Sequence, residues 1–141
     1  MLTYIGFLSL LGACSKLCQS GYEGKDCNTL STGRFTGKWA ITDTPDSLMF
    51  TDSITGGSGI SDIDIYTAFA GKQFTNPIYG SVVTGKVTVN SQQPDTAQKY
   101  WVAGYGNINS NNDLITWTYQ LTDSTDSPVV INTYTGLWTR Q

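Results

Sequence analysis

Asp62 and Asp64 are the residues whose types and spacing first suggest chemistry: separated by one position, their carboxylates would share one face of a β-strand. At a rise of ~3.3 Å per residue they stand about 7 Å apart. Calcium accepts such oxygen ligands. The plainer reading is a solvated strand face, whose charges also guard against edge pairing, and this is the expected one. Tyr66, Tyr79, Tyr100, Tyr105, Tyr119 and Tyr134, with Trp101 and Trp117, form the larger aromatic store. Such rings stack on sugars or line apolar pockets, but core and cross-strand packing is their expected use. Histidine is absent, which removes the usual general base near neutral pH and the commonest metal ligand. No short motif sets paired Asp residues beside a nucleophile or an acid-tuning pocket. The sequence therefore predicts no catalytic residues, no metal site and no cofactor.

These residues need elements to position them, and the composition indicates strands. Fifteen glycines, an aromatic content of 12% and many Thr, Ser and Asn residues favour strands and turns over helices. The chain has 141 residues, 39% of them hydrophobic, enough for one modest core behind a leader. Eight Lys and Arg against eleven Asp and Glu give a net charge of -3, and no basic patch suggests nucleic acid.

From about Arg34 to Gln141 the chain divides into eight short segments: 35–43, 48–54, 60–69, 78–84, 86–90, 100–107, 114–122 and 129–140. Turn residues separate them at Thr44-Pro45-Asp46, Gly56 to Gly59, Thr84-Gly85, Ser110 to Asp113 and Asp123 to Pro128. Alternation puts Ile115, Trp117, Tyr119 and Leu121 on one face. Phe35, Gly37, Trp39 and Ile41 alternate likewise, as do Ile63, Ile65, Thr67 and Phe69. This pattern predicts an all-β domain at 34–141, an antiparallel eight-stranded up-and-down barrel without exposed edges. A two-sheet β-sandwich is the alternative.

Gly37-Lys38-Trp39 resembles the G-x-W of the first strand of lipocalin-like (calycin) barrels. In that family the tryptophan plugs one end of the barrel under a basic residue from the last strand. The resemblance implies that Gly37, Trp39 and Arg140 close the barrel here, with Arg140 packing across the ring of Trp39. The domain is shorter than a classical lipocalin, which limits its cavity.

The stretch MLTYIGFLSLLGA at 1–13 is uncharged and too short to span a bilayer as a helix of ~20 residues. It reads as the apolar core of a signal peptide, though without the positive charge such signals carry. Leu11-Gly12-Ala13-Cys14 matches the lipobox of bacterial lipoproteins. That resemblance implies cleavage before Cys14 and lipidation of its thiol. Each buried methylene contributes ~0.8 kcal/mol, so two or three acyl chains would anchor the protein stably. Ser15, in place of Asp, is compatible with sorting to the outer membrane.

Cys18 to Cys27 matches the C-terminal loop of an EGF-like module, C-x-x-G-[YF]-x-G-x-x-C. The resemblance implies a Cys18–Cys27 disulfide, which an oxidising envelope permits. Closing so small a ring contributes roughly 2–3 kcal/mol against the unfolded state. With those two cysteines paired, a Cys-type zinc site is not expected. Residues 14–33 thus read as a lipidated neck ending in a linker at 28–33, a stiff spacer or an EGF-like interaction surface. The whole layout resembles small lipoproteins of Gram-negative bacteria. The expected function is non-catalytic: a lipid-anchored barrel that binds a small apolar or glycan-derived ligand. The alternative is a structural or protein-interaction lipoprotein with a filled core, its partner another envelope protein.

Overall fold

A computed structural model describes residues 17–44, 47–66, 68–70, 72–125 and 127–141, without the side chains of Leu48 and Ala68. Residues 1–13, read from the sequence as a signal, together with Cys14, Pro45, Asp46 and Thr67 lie outside the described residues. The first described residues form a small neck in which β1 (Tyr22–Glu23) pairs with β2 (Thr29–Leu30), followed by a 3-10 turn at Ser31–Arg34. Residues 28–33, expected as a linker, are therefore built into the neck.

Beyond the neck the strands are β3 (Gly37–Thr44), β4 (Leu48–Gly56), β5 (Asp62–Tyr66), β6 (Ala68–Phe69), β7 (Lys72–Gln73), β8 (Ile78–Val83), β9 (Lys86–Gln92), β10 (Tyr100–Ile108), β11 (Leu114–Asp123) and β12 (Val130–Arg140). Eight of them form a closed antiparallel barrel in the order β10-β11-β12-β3-β4-β5-β8-β9. Closure through the β12–β3 pairing, Arg140 opposite Trp39 and Thr135 opposite Thr44, excludes the open sandwich. Consecutive barrel strands are neighbours throughout, with β6 and β7 leaving the wall as a separate hairpin between β5 and β8.

The alternation read from the sequence decides which side chains enter. Trp39, Ile41, Ile63, Ile65, Ile78, Val82, Val87, Val102, Ile115, Trp117, Tyr119, Leu121 and Trp138 are buried inside, while intervening residues face water. An eight-stranded barrel has an interior about wide enough for side chains to fill. Here the filling matches large against small. Trp117 lies opposite Gly106 on one neighbouring strand and Gly136 on the other. A methyl group at Gly106 would meet the Trp117 ring at 2.8 Å, and one at Gly136 would meet Asp43 Oδ1 at 2.5 Å. Gly106 therefore yields volume to the Trp117 indole, and Gly136 yields it to Asp43 and to the Trp138 indole. Phe69 comes in from the hairpin and packs edge-on to Trp117 and Tyr119, with ring centroids 5.5 and 4.5 Å apart.

Candidate functional site

Among the described residues, the two ends of the barrel and one stretch of its outer wall gather chemistry-bearing side chains. The neck end is built around Trp39. Its indole N–H donates to the carbonyl of Phe35 at 2.8 Å, and the Arg140 guanidinium lies 4.4 Å above its ring. Arg140 also donates to the carbonyls of Thr36 (2.7 Å) and Asn112 (2.6 Å) and to that of Arg34. Gly37 has φ +132, and a methyl there would lie 2.7 Å from an Arg140 guanidinium nitrogen, so only glycine suits the position. Gly37, Trp39 and Arg140 thus form one unit closing this end.

Arg34 joins the neck to that unit. It donates to Asn112 Oδ1 (2.7 Å) and the Asn109 carbonyl (3.1 Å), and pairs with Glu23 of β1 at 3.1 Å. The other carboxylate oxygen of Glu23 accepts from Ser31. Cys18 and Cys27 are disulfide-bonded, Cα atoms 5.1 Å apart, and Gly21 sits against Ile60 of the β4–β5 turn. The neck is therefore clasped to the barrel. Nothing in the spacing of Glu23, Arg34 and Asn112 announces this, because the partners lie up to 78 positions apart.

At the opposite end, Asp43 follows Trp39 and Ile41 on the inward face of β3 and is buried. Tyr119 O–H donates to Asp43 Oδ2, while the tyrosine oxygen accepts the Ala70 N–H of the hairpin at 2.7 Å. Burial raises the Asp43 pKa above the usual carboxylate range, against the opposing pull of the Tyr119 and Ala70 hydrogen bonds. Tyr119 is raised too, by burial and then by its bond to Asp43. Asp43 Oδ1 and the indole nitrogens of Trp117 and Trp138 are buried without a partner. The sequence carried one overlooked signal here: a carboxylate at an inward position of an alternating strand.

On the outer wall, Asp62 and Asp64 point away from the core, where alternation put them. They line an open cleft of about 310 Å³ together with Ser58, Tyr79, Ser81 and Asn90. Tyr79 lies opposite Asp64, and Ser81 opposite Asp62. Among the described residues no group of three or more His, Cys, Asp or Glu side chains is placed to hold a metal ion. The aromatic store is divided. Trp117, Tyr119 and Tyr134 are core, whereas Tyr66, Tyr79, Trp101 and Tyr105 are exposed. Tyr100 is partly buried under Lys72, whose ammonium lies 5.1 Å from the ring centroid.

No protein-family model matches the chain, and no curated protein matches it. Fold and site together define a closed eight-stranded antiparallel β-barrel with a disulfide-bonded neck.

Proposed function

We propose that this protein is a lipid-anchored, non-catalytic lipoprotein of the bacterial cell envelope that carries a calycin-like barrel and acts through the barrel's outer surface. The observation that supports an outer working surface is the state of the interior. Trp39, Trp117 and Trp138 are fully buried there; Trp117 and Trp138 centroids are 5.1 Å apart, and Phe69 packs against both. A resident ligand of the size bound by pockets of ~300 Å³ or more would have to displace those rings. The Leu11-Gly12-Ala13-Cys14 sequence, ahead of a neck clasped to the barrel, supports attachment through Cys14. The absence of histidine supports a non-catalytic role.

A second reading, an apolar or glycan-derived ligand inside the barrel, is favoured by the three orphaned polar atoms beside Tyr119. Asp43 Oδ1 and the two indole N–H groups would gain partners from such a ligand. Metabolic labelling with radioactive palmitate tests the anchor. Wild type takes up label and fractionates with membranes, and Cys14→Ala does neither; an unlabelled wild type with a membrane-bound variant overturns the reading. Native mass spectrometry of membrane-purified protein separates the two sites of action, since a co-purifying ligand that survives stripping of detergent favours the interior.

A further inference from the structure

The geometry points to the outer-wall cleft as a carbohydrate site: we propose that it binds neutral or amino-substituted hexose units, with Tyr79 as the stacking platform and Asp62 and Asp64 as hydroxyl acceptors. This rests on the reading that the barrel works through its outer surface. The cleft exists because the pairing of β8 with β9 runs only from Val83–Lys86 to Ser81–Thr88. Beyond Ser81 the two strands part, and the side chain of Gln92 takes the place of the missing ladder. Its carbonyl oxygen accepts the Tyr79 N–H at 2.8 Å, and its amide donates to the Tyr79 carbonyl at 2.9 Å and to that of Asn90 at 3.0 Å.

That clamp fixes the Tyr79 backbone while leaving the residue 60% exposed. A ring carried on a fixed backbone and bare of protein can receive a flat apolar surface without displacing any protein contact. The pyranose ring presents such a surface in its C–H face, and the hydroxyls around its rim need acceptors and donors at the same time. The cleft supplies both. Among the described residues the carboxylates of Asp62 and Asp64 have no hydrogen-bond or ion-pair partner, both residues being bonded only through their backbones, so both are open acceptors, and charge-assisted hydrogen bonds are the stronger kind. Ser58, Ser81, Thr88 and Asn90 line the same space and offer hydroxyl and amide donors.

The charge of the cleft narrows the ligand. No Lys or Arg lines it, and Lys86 on the adjoining strand is drawn to the Tyr105 ring, 4.8 Å from its centroid. Two unpaired carboxylates repel uronic acids, sulfated sugars and phosphates, and they tolerate or attract an amino sugar. A cleft of about 310 Å³ lies at the small end of ligand sites, which suits one or two sugar rings of a longer chain.

The test is an amide NMR titration of the detergent-solubilised full-length protein with cellobiose, with the chitosan disaccharide, with a glucuronic acid disaccharide, and with calcium chloride alone. The expected result is saturable shifts on β5, β8 and β9 with a neutral or amino disaccharide, and binding at least tenfold weaker with the glucuronic acid form. Tyr79→Ala and Asp64→Asn each weaken that binding about tenfold or more, while Leu137→Ala on the far wall leaves it unchanged; circular dichroism confirms that all three variants fold. No saturable shift with either the neutral or the amino sugar overturns the proposal, as does wild-type affinity in Tyr79→Ala. Shifts with calcium chloride in the absence of any sugar response make the cleft a cation site and equally overturn it. Palmitate uptake at Cys14 is read independently, so failure of the sugar site leaves the anchor standing.

Discussion

The two ends of the barrel are closed by similar means, an aromatic ring capped by a polar group, yet their polar groups are treated in opposite ways. At the neck end the charge is cationic, and it is satisfied: Arg140 donates to three carbonyls and stacks on Trp39, whose own N–H is bonded. At the hairpin end the polar group is a buried acid whose Oδ1 has no partner, and two indole N–H groups nearby are orphaned as well. An unsatisfied buried polar atom costs about 1–3 kcal/mol. The neck end is thus locked, whereas the hairpin end carries a standing penalty.

The most damaging way to probe this contrast is to empty each plug. Trp39→Ala removes the largest ring at the locked end and should cost about 4 kcal/mol in chemical denaturation. Phe69→Ala, on a hairpin of two-residue strands that can partly collapse into the space, should cost less, about 3 kcal/mol. Equal or reversed losses would mean that the two ends do not differ in rigidity.

A smaller effect is expected from Tyr119→Phe, which strands Asp43 and the Ala70 N–H together. Stability should fall by about 1–3 kcal/mol, and hydrogen exchange should rise in the hairpin before it rises in β3 or β12. Uniform exchange across the barrel would show that the hairpin is not a separately opening unit.

The gentlest test is pH. Burial raises the pKa of Asp43 in the folded state, above the ~3.9 of an unfolded chain. The folded protein therefore holds that proton more tightly than the unfolded one. The resulting stabilisation is fully present below about pH 3.9 and is lost as pH rises through the folded-state value. Relative to Asp43→Asn, wild type should lose stability as pH is raised above about 4. A gain instead would mean that the Tyr119 bond outweighs burial, and the two ends would then be alike.

The barrel was legible because alternation is a local signal. Ile115 to Leu121, and Trp39 with Ile41, declare their inward faces without reference to any other strand, whereas Phe35, read as part of the same strand, instead caps the 3-10 turn in the αR conformation. Segment 60–69 shows where that signal fails. It reads as one strand, but β5 ends at Tyr66, and Phe69 belongs to a hairpin whose turn has Ala70 at φ +53. A positive φ at a non-glycine residue leaves no mark in the sequence pattern. The contacts that join the neck to the barrel were hidden for another reason: Arg34 finds Asn109 and Asn112 only once eight strands have closed. The carboxylates of Asp62 and Asp64 could be placed on a strand face from spacing alone. The Gln92 clamp that opens the cleft beside them depends on where β8 and β9 part.

The clasp at Arg34 also has a mechanical meaning. A pull on residue 17 does not peel β3 away as the free end of a zipper. Tension passes through Glu23 and Arg34 into the β10–β11 turn, and through the carbonyls of Arg34 and Thr36 into Arg140 at the end of β12. The load is shared among β3, the β10–β11 turn and β12 before any strand pair must part. The neck behaves as a yoke rather than a string, and the barrel it carries has little freedom to swivel.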